Sequence, residues 1–85
     1  MIPRVVSVKP LPGYTVELEF TDGVRAPVDL SQWIVGHGGV FAPLHDEQFF
    51  RQVAVDPEAG TIVWPNGVDF CPDVLYAEAS RTVPA

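Results

Sequence analysis

A strict alternation of apolar and polar side chains around Asp22-Gly23 is the feature that most limits what this chain can fold into. Every second residue is apolar on both sides of the pair: Tyr14, Val16, Leu18 and Phe20 before it, and Val24, Ala26, Val28 and Leu30 after it. A period of two residues is typical of a strand with one buried face and one solvated face. The segment therefore predicts two antiparallel strands joined by a tight loop.

The length of this loop follows from the requirement that the apolar side chains share one face. A two-residue loop would place Phe20 opposite Arg25 and mix the two faces. A three-residue loop of residues 21–23 pairs Phe20 with Val24 and supplies the glycine that such loops need in the left-handed region. In this register Glu19 lies opposite Arg25 on the solvated face.

The rest of the chain divides into short elements separated by turns that contain glycine and proline. We expect a first strand over residues 4–9, short helices capped by Ser31 and Asp46, a hairpin of residues 53–56 and 61–64, and a helix that begins near Pro72. The predicted fold class is α+β: a small two-layer domain with a mostly antiparallel sheet of about five strands and short helices, including a C-terminal one, on one face. With 85 residues, the chain is expected to form a single domain over residues 1–85.

The same patterns predict which side chains form the core. The expected set is Val6, Val16, Leu18, Phe20, Val28, Trp33, Phe41, Leu44, Phe49, Val55, Ile62, Trp64, Leu75 and Tyr76. Cys71, between Phe70 and Pro72, is expected to pack as a small hydrophobic residue. It is the one cysteine in the sequence, so no intramolecular disulfide can form, which favours a reducing cytoplasm.

The charge balance limits the partners that such a domain can bind. Five Lys and Arg residues against eleven Asp and Glu residues give a net charge of −6. Nucleic-acid affinity comes chiefly from neutralised phosphates, and anionic lipids attract basic segments, so we expect neither partner. No apolar run is long enough for a membrane span or a signal peptide, which again indicates a cytoplasmic protein. A negative field of this size would steer association with a basic protein.

Residues 61–76 carry the most specific pattern of the chain, Thr-Ile-Val-Trp-Pro-Asn-Gly-Val-Asp-Phe-Cys-Pro-Asp-Val-Leu-Tyr. Together with Phe20-x-Asp22-Gly23, Val28-Asp29-Leu30 and Phe41-x-x-Leu44-x-Asp46, this pattern resembles a bacterial family known as domain of unknown function 2442. The resemblance covers essentially the whole chain, and the Trp-Pro-Asn-Gly-x-Asp run is its most specific part. It implies a small α+β domain that occurs alone or joined to a helix-turn-helix segment.

The same resemblance implies a partner and supplies no catalytic residue. Some relatives lie beside a second small gene, in an arrangement that looks like a toxin–antitoxin pair. We expect no additional DNA-binding segment in a chain of 85 residues. Any role in DNA recognition would therefore come from a partner.

The segment from Trp64 to Asp69 has two interpretations. Trp64 can serve as an interaction anchor with polar Asn66 and Asp69 beside it. Turn chemistry explains the same residue types, with Trp64 on the core face, a Pro-Asn-Gly turn, and Asp69 accepting from the amides of the next helix. We favour the second interpretation. The candidate interaction surface nevertheless keeps this segment, together with two carboxylates of the alternating strand and a glycine-rich loop: Glu17, Glu19, His37, Trp64, Asn66 and Asp69.

Motifs for catalysis, metals or nucleotides are weak. His37, His45, Asp46 and Cys71 can ligate zinc, but none stands at ligand spacing. The glycine-rich loop around His37 lacks the lysine that a phosphate-binding loop needs. We therefore expect no catalytic residue, no metal and no cofactor.

The leading hypothesis is a non-enzymatic protein-interaction domain, the acidic antitoxin-like or regulatory partner of a basic protein. One alternative is a small metal- or cysteine-dependent enzyme that uses His37, His45 and Cys71. Another is a structural module that forms homodimers through a sheet edge or through the C-terminal helix.

Overall fold

The alternating segment forms the centre of a three-stranded antiparallel sheet in the order β1-β2-β3. In the computed structural model, which describes residues 3–36 and 38–82, β1 is Val5–Leu11, β2 is Thr15–Phe20 and β3 is Arg25–Asp29. Val16 lies opposite Val28, and the Phe20 amide donates to the Val24 carbonyl oxygen. The predicted loop of residues 21–23 and its register are therefore confirmed.

The first strand is longer than predicted and contains a bulge. It pairs with β2 as far as Leu11, and its register shifts between Val5 and Ser7, which leaves Val6 as the extra residue. A bulge reverses the alternation of side chains beyond it. Val5 is consequently buried and Val6 is 50% exposed, so the prediction that Val6 belongs to the core is wrong.

The remaining strands form a separate sheet. β4 (Ala54–Asp56) and β5 (Thr61–Val63) are antiparallel, with Val55 opposite Ile62 as predicted. The five strands are thus divided between two sheets. Arg4 connects the two sheets, because its guanidinium donates to the carbonyl oxygens of Pro57 and Glu58 in the β4–β5 loop.

The helices are short except for the last. They are α1 (Ser31–Ile34), a 3₁₀ helix (Gly39–His45), α2 (Glu47–Phe50) and α3 (Pro72–Thr82). Asp46 caps α2 as predicted, since its Oδ1 accepts from the Gln48 amide. Ser31 does not cap α1, because it is the first helical residue and its own amide donates to Asp29 Oδ1. A carboxylate accepts more strongly than a hydroxyl, so Asp29 takes this role.

The core lies between the three-stranded sheet, the hairpin β4–β5 and α3, with Trp64 buried at 2% exposure. The buried hydrophobic residues are Val5, Val16, Leu18, Phe20, Ala26, Val28, Leu30, Ile34, Leu44, Phe50, Ile62, Trp64, Val68, Phe70, Leu75 and Ala79. Cys71 is exposed, so its predicted packing is wrong. Its neighbour Phe70 takes the core-facing position, and the next residue therefore turns outward.

These elements confirm the α+β class with its C-terminal helix. α3 packs against β3 through its apolar side. Across residues 3–36 and 38–82, no helix has the length and apolar character needed to cross a membrane.

Candidate functional site

The six residues of the candidate surface lie in different environments. Glu17 and Glu19 lie on the solvated face of β2, where both are half-buried. Trp64 is in the core, whereas Asn66 and Asp69 are exposed. His37 lies outside the described residues.

The two carboxylates of β2 have basic neighbours. Glu19 Oε1 lies 2.9 Å from Arg25 Nη2, and this hydrogen bond raises the pKa of the Arg25 guanidinium. Lys9 of β1 lies opposite Glu17 in the register. The centre of this sheet face is therefore polar but locally balanced in charge, and it does not by itself give a strongly negative docking surface.

Asn66 and Asp69 belong to a groove that the sequence did not reveal. Its lining is Val40, Phe41, Asn66, Gly67, Val68 and Asp69, and its volume is about 270 Å³. We call this set the turn groove. One wall is the start of the 3₁₀ helix, and the other is the turn after β5.

Backbone hydrogen bonds hold the turn that forms the second wall. The Gly67 amide donates to the Trp64 carbonyl oxygen, and the Trp64 amide donates to the Val68 carbonyl oxygen, each at 2.9 Å. Beyond the turn, Val63 and Asp69 form an antiparallel bridge. The predicted turn is confirmed, and it sets the direction in which residues 66–69 line the groove.

Asn66 joins the two walls. Its Oδ1 accepts from the Val68 amide at 3.2 Å, and its Nδ2 donates to the Val40 carbonyl oxygen at 3.1 Å. The first bond is the local turn interaction that the residue type predicts. The second reaches a residue of the 3₁₀ helix that is 26 positions away in the sequence, so turn chemistry alone does not account for Asn66.

Trp64 supports the groove from below. Its ring packs against Phe50 and Phe70, with ring centroids 5.6 and 5.7 Å away. Its indole Nε1 donates to the Phe50 carbonyl oxygen at 2.9 Å. Trp64 is therefore a structural residue, as the favoured interpretation predicts, and its side chain is not accessible to a partner.

Asp69 and Val40 are the two exposed side chains of the turn groove that are available to contact a ligand. Among the described residues, the Asp69 side chain makes no hydrogen bond or ion pair, and the predicted bond to the α3 amides is not seen. Val40 is 64% exposed, more than any other large hydrophobic side chain in the described part of the chain. Both groups can meet a ligand without losing an existing contact.

The structure does not bring together His45 and Cys71, the described residues of the proposed enzyme site. His45 Nε2 lies 2.6 Å from the Ile34 carbonyl oxygen, a contact that requires a proton on Nε2. Cys71 is exposed and directly precedes α3. Within residues 3–36 and 38–82, no three His, Cys, Asp or Glu side chains come together as a metal-binding group.

The structure contains a second groove that the sequence did not predict. Leu11, Pro12, Gly13, Tyr14, Glu47 and Phe50 line a volume of about 230 Å³. An adjoining cavity of about 130 Å³ shares Leu11, Pro12 and Glu47 and adds Pro10 and Arg51. We call these two volumes the proline groove. Its charged groups are of opposite sign, Glu47 and Arg51.

Tyr76 fixes α3 on the loop between β2 and β3. Its hydroxyl donates to Asp22 Oδ2, and its ring packs edge-on against Phe20 with centroids 5.1 Å apart. The hydrogen bond from Tyr76 lowers the pKa of the Asp22 carboxyl and raises the pKa of the Tyr76 hydroxyl. The Asp22 carboxylate is thus engaged in holding the fold.

The part of the chain that matches a known family includes both sheets, the turn groove and most of α3. No curated protein and no solved structure matches the chain. Residues 5–81 match the model of a family described as "Protein of unknown function (DUF2442)". As the resemblance predicts, the chain belongs to this family.

Proposed function

We propose that this protein is a cytoplasmic, non-enzymatic interaction domain that binds a basic partner protein. It would act as the antitoxin-like or regulatory half of a two-protein system. The observation that carries the proposal is the imbalance between acidic and basic side chains that remain unpaired at the surface.

Most of the basic side chains are engaged within the protein. Arg25 and Arg81 form ion pairs with Glu19 and Glu78 at 2.9 and 3.3 Å. The guanidinium of Arg4 donates to backbone carbonyl oxygens of the β4–β5 loop. Few positive charges are therefore left to repel a basic partner.

Several carboxylates, in contrast, point to solvent without a partner. Glu47, Glu58, Asp69 and Asp73 are exposed, and their carboxylates make no hydrogen bond or ion pair with another described residue. The carboxyl of Asp29 also stays charged at neutral pH, because its hydrogen bonds with Ser31 lower its pKa. Such a field raises the association rate with a protein of opposite charge.

The outer strands weigh against the homodimer alternative through sheet edges. The Leu30 amide donates to the Tyr14 carbonyl oxygen, so the backbone groups of Pro27 face away from β2. The register places Pro10 of β1 in the same outward orientation on the opposite edge. Proline has no amide hydrogen, so both edges interrupt the ladder that a second copy would need.

The test is capture of the partner from native cells at low ionic strength, with the tagged protein as bait. The matched control is the E47Q/E58Q/D69N/D73N variant, which keeps the shape of the side chains but removes four negative charges. We expect the wild-type protein to retain one basic protein in stoichiometric amount, which salt releases. We expect the variant to lose it.

Two results would contradict the proposal. One is repeated absence of a basic protein from the wild-type eluate. The other is equal retention by the variant and by the wild-type protein at every salt concentration. Coexpression with the product of the neighbouring gene, followed by light scattering, gives the stoichiometry of a complex and separates it from a homodimer.

A further inference from the structure

We propose that the turn groove is the docking site for the basic partner, and that it receives an extended segment carrying an arginine next to an apolar side chain. The inference rests on the proposed function and assigns its partner to one place on the molecule. It follows from the apolar wall, the carboxylate and the rigidity of the groove.

The apolar wall offers surface that a partner can bury. Val40 is exposed at its rim, and Phe41 is half-buried behind it against Phe70, with ring centroids 6.0 Å apart. Burial of apolar surface contributes about 25 cal/mol for each Å² removed from water. An aliphatic side chain of the partner would therefore gain by packing on Val40.

The carboxylate selects a cation beside that apolar contact. Asp69 lines the groove, and its backbone is held by the bridge to Val63. Its carboxylate makes no contact that a ligand would have to displace among the described residues. An arginine can bind a carboxylate through two parallel hydrogen bonds and can also stack on an aromatic ring, which favours arginine over lysine.

The groove is already held in its binding shape. Asn66 fixes one wall to the other through Val40 and Val68, and Trp64 anchors the turn in the core. Rigid sites lose little conformational entropy when they bind a ligand. An extended segment could thus bind without rearrangement of the turn.

Charge complementarity separates the turn groove from the proline groove. The proline groove carries Glu47 and Arg51 side by side, so a basic segment would meet repulsion as well as attraction. Asp69 is the one charged residue in the lining of the turn groove. A basic partner is therefore expected to prefer the turn groove.

The test is an NMR titration of the ¹⁵N-labelled protein with the blocked peptide acetyl-Val-Arg-Val-Arg-Val-amide. The control peptide carries citrulline in place of arginine, which keeps the shape and removes the charge. We expect saturable shifts of the backbone amides of Val40, Gly67 and Asp69 with the arginine peptide. D69N should weaken this binding about fivefold, as expected for one partly exposed ion pair.

Matched variants give the controls. Asp73 is exposed and its carboxylate is unpaired among the described residues, but it lies outside the groove, so D73N should weaken the binding only through the general negative field and by less than D69N does. Val35 is 57% exposed and also lies outside it, so V35S should bind like the wild-type protein whereas V40S should bind more weakly.

Absent shifts, an equal response to citrulline, or shifts centred on Glu47 or Glu58 would overturn the assignment to the turn groove. The captured partner keeps the two proposals distinguishable. Retention of that partner by D69N and V40S as well as by the wild-type protein would overturn the groove alone. Failure of the wild-type protein to capture any basic protein would overturn the proposed function.

Discussion

The two turns at residues 21–23 and 65–67 share one hydrogen-bond pattern. In each turn, the glycine amide donates to the carbonyl oxygen of the aromatic residue three positions earlier, Phe20 or Trp64, and the amide of that residue donates to the carbonyl oxygen of the valine after the glycine. The side chain before the glycine accepts from the same valine, at 3.0 Å for Asp22 and 3.2 Å for Asn66. The local sequence therefore produces the same turn twice.

The turns differ in what their polar side chains do beyond the local bonds. Asp22 binds the Tyr76 hydroxyl and so holds α3, whereas Asn66 reaches the Val40 carbonyl oxygen and so shapes a groove. The aspartates that follow differ as well. The Asp29 carboxylate accepts from the Ser31 amide, but the Asp69 carboxylate has no hydrogen-bond or ion-pair partner among the described residues. One turn is used for folding, and its counterpart leaves a carboxylate for a ligand.

The aromatic residue before each turn should be equally important for the stability of the fold. Phe20→Ala and Trp64→Ala should each lower the free energy of unfolding by about 3–5 kcal/mol, because both remove a buried aromatic ring. Urea denaturation followed by circular dichroism measures the change. A Trp64→Ala protein of unchanged stability that fails only in binding would show that Trp64 is an interaction anchor and that the two aromatic residues have different roles.

The two turn glycines should respond alike. Gly23 and Gly67 have φ values of +90° and +88°, and nothing lies within 4 Å of an added Cβ atom at either position. Gly23→Ala and Gly67→Ala should therefore each cost about 1–2 kcal/mol through backbone strain alone. Thermal and urea denaturation of the two variants should give similar losses, and a clear difference would show that the turns are not equivalent.

Each turn makes one hydrogen bond to a distant part of the chain, and removal of each bond should destabilise a different region. Tyr76→Phe removes the bond between α3 and Asp22, and Asn66→Asp keeps the acceptor for Val68 but removes the donor to Val40. Each should cost about 1 kcal/mol, the usual net value of one hydrogen bond. Hydrogen exchange should speed up in α3 for Tyr76→Phe and near Val40 for Asn66→Asp. The reverse distribution would contradict the comparison.

Asp22 and Asp29 should make a small contribution to the loss of stability in acid. Hydrogen bonds from Tyr76 and Val24 lower the pKa of Asp22, and those with Ser31 lower the pKa of Asp29, below the ordinary 3.8. Their stabilisation is present above the ordinary pKa and is lost as the pH falls through the lowered value of the folded state. D22N and D29N should therefore each flatten the loss of stability in acid. Urea midpoints between pH 2 and 6 measure this.

The parts of the fold that the sequence predicted are those in which one local pattern has one solution. The alternation around Asp22-Gly23 allows a single register once the apolar side chains share a face, and the structure has that register. In the first strand, Val5, Val6 and Val8 are all apolar and β-branched, so the pattern does not say where the bulge falls. The assignment of Val6 to the core was wrong for that reason.

The candidate site was predictable on one side only. Asn66 and Asp69 stand in a recognisable turn, so the sequence selected them. The other wall, Val40 and Phe41, lies in the 3₁₀ helix, and Val40 meets the turn through its hydrogen bond with Asn66, which joins residues 26 apart in the sequence. No local sequence pattern predicts such a contact. Ser31 shows the same limit, because its cap role was taken by a residue two positions earlier.

Hydrogen bonds that join distant parts of the chain have a consequence for synthesis on the ribosome. Arg4 binds Pro57 across 53 residues, and Tyr76 binds Asp22 across 54. The hairpins β1–β3 can form as soon as they emerge, because their contacts are local. Their apolar face stays uncovered by α3 until that helix, which begins only at Pro72, has been made. A nascent chain thus exposes Val16, Leu18 and Val28 after they have emerged and until α3 has been made, and the lifetime of that surface is set by the speed of translation.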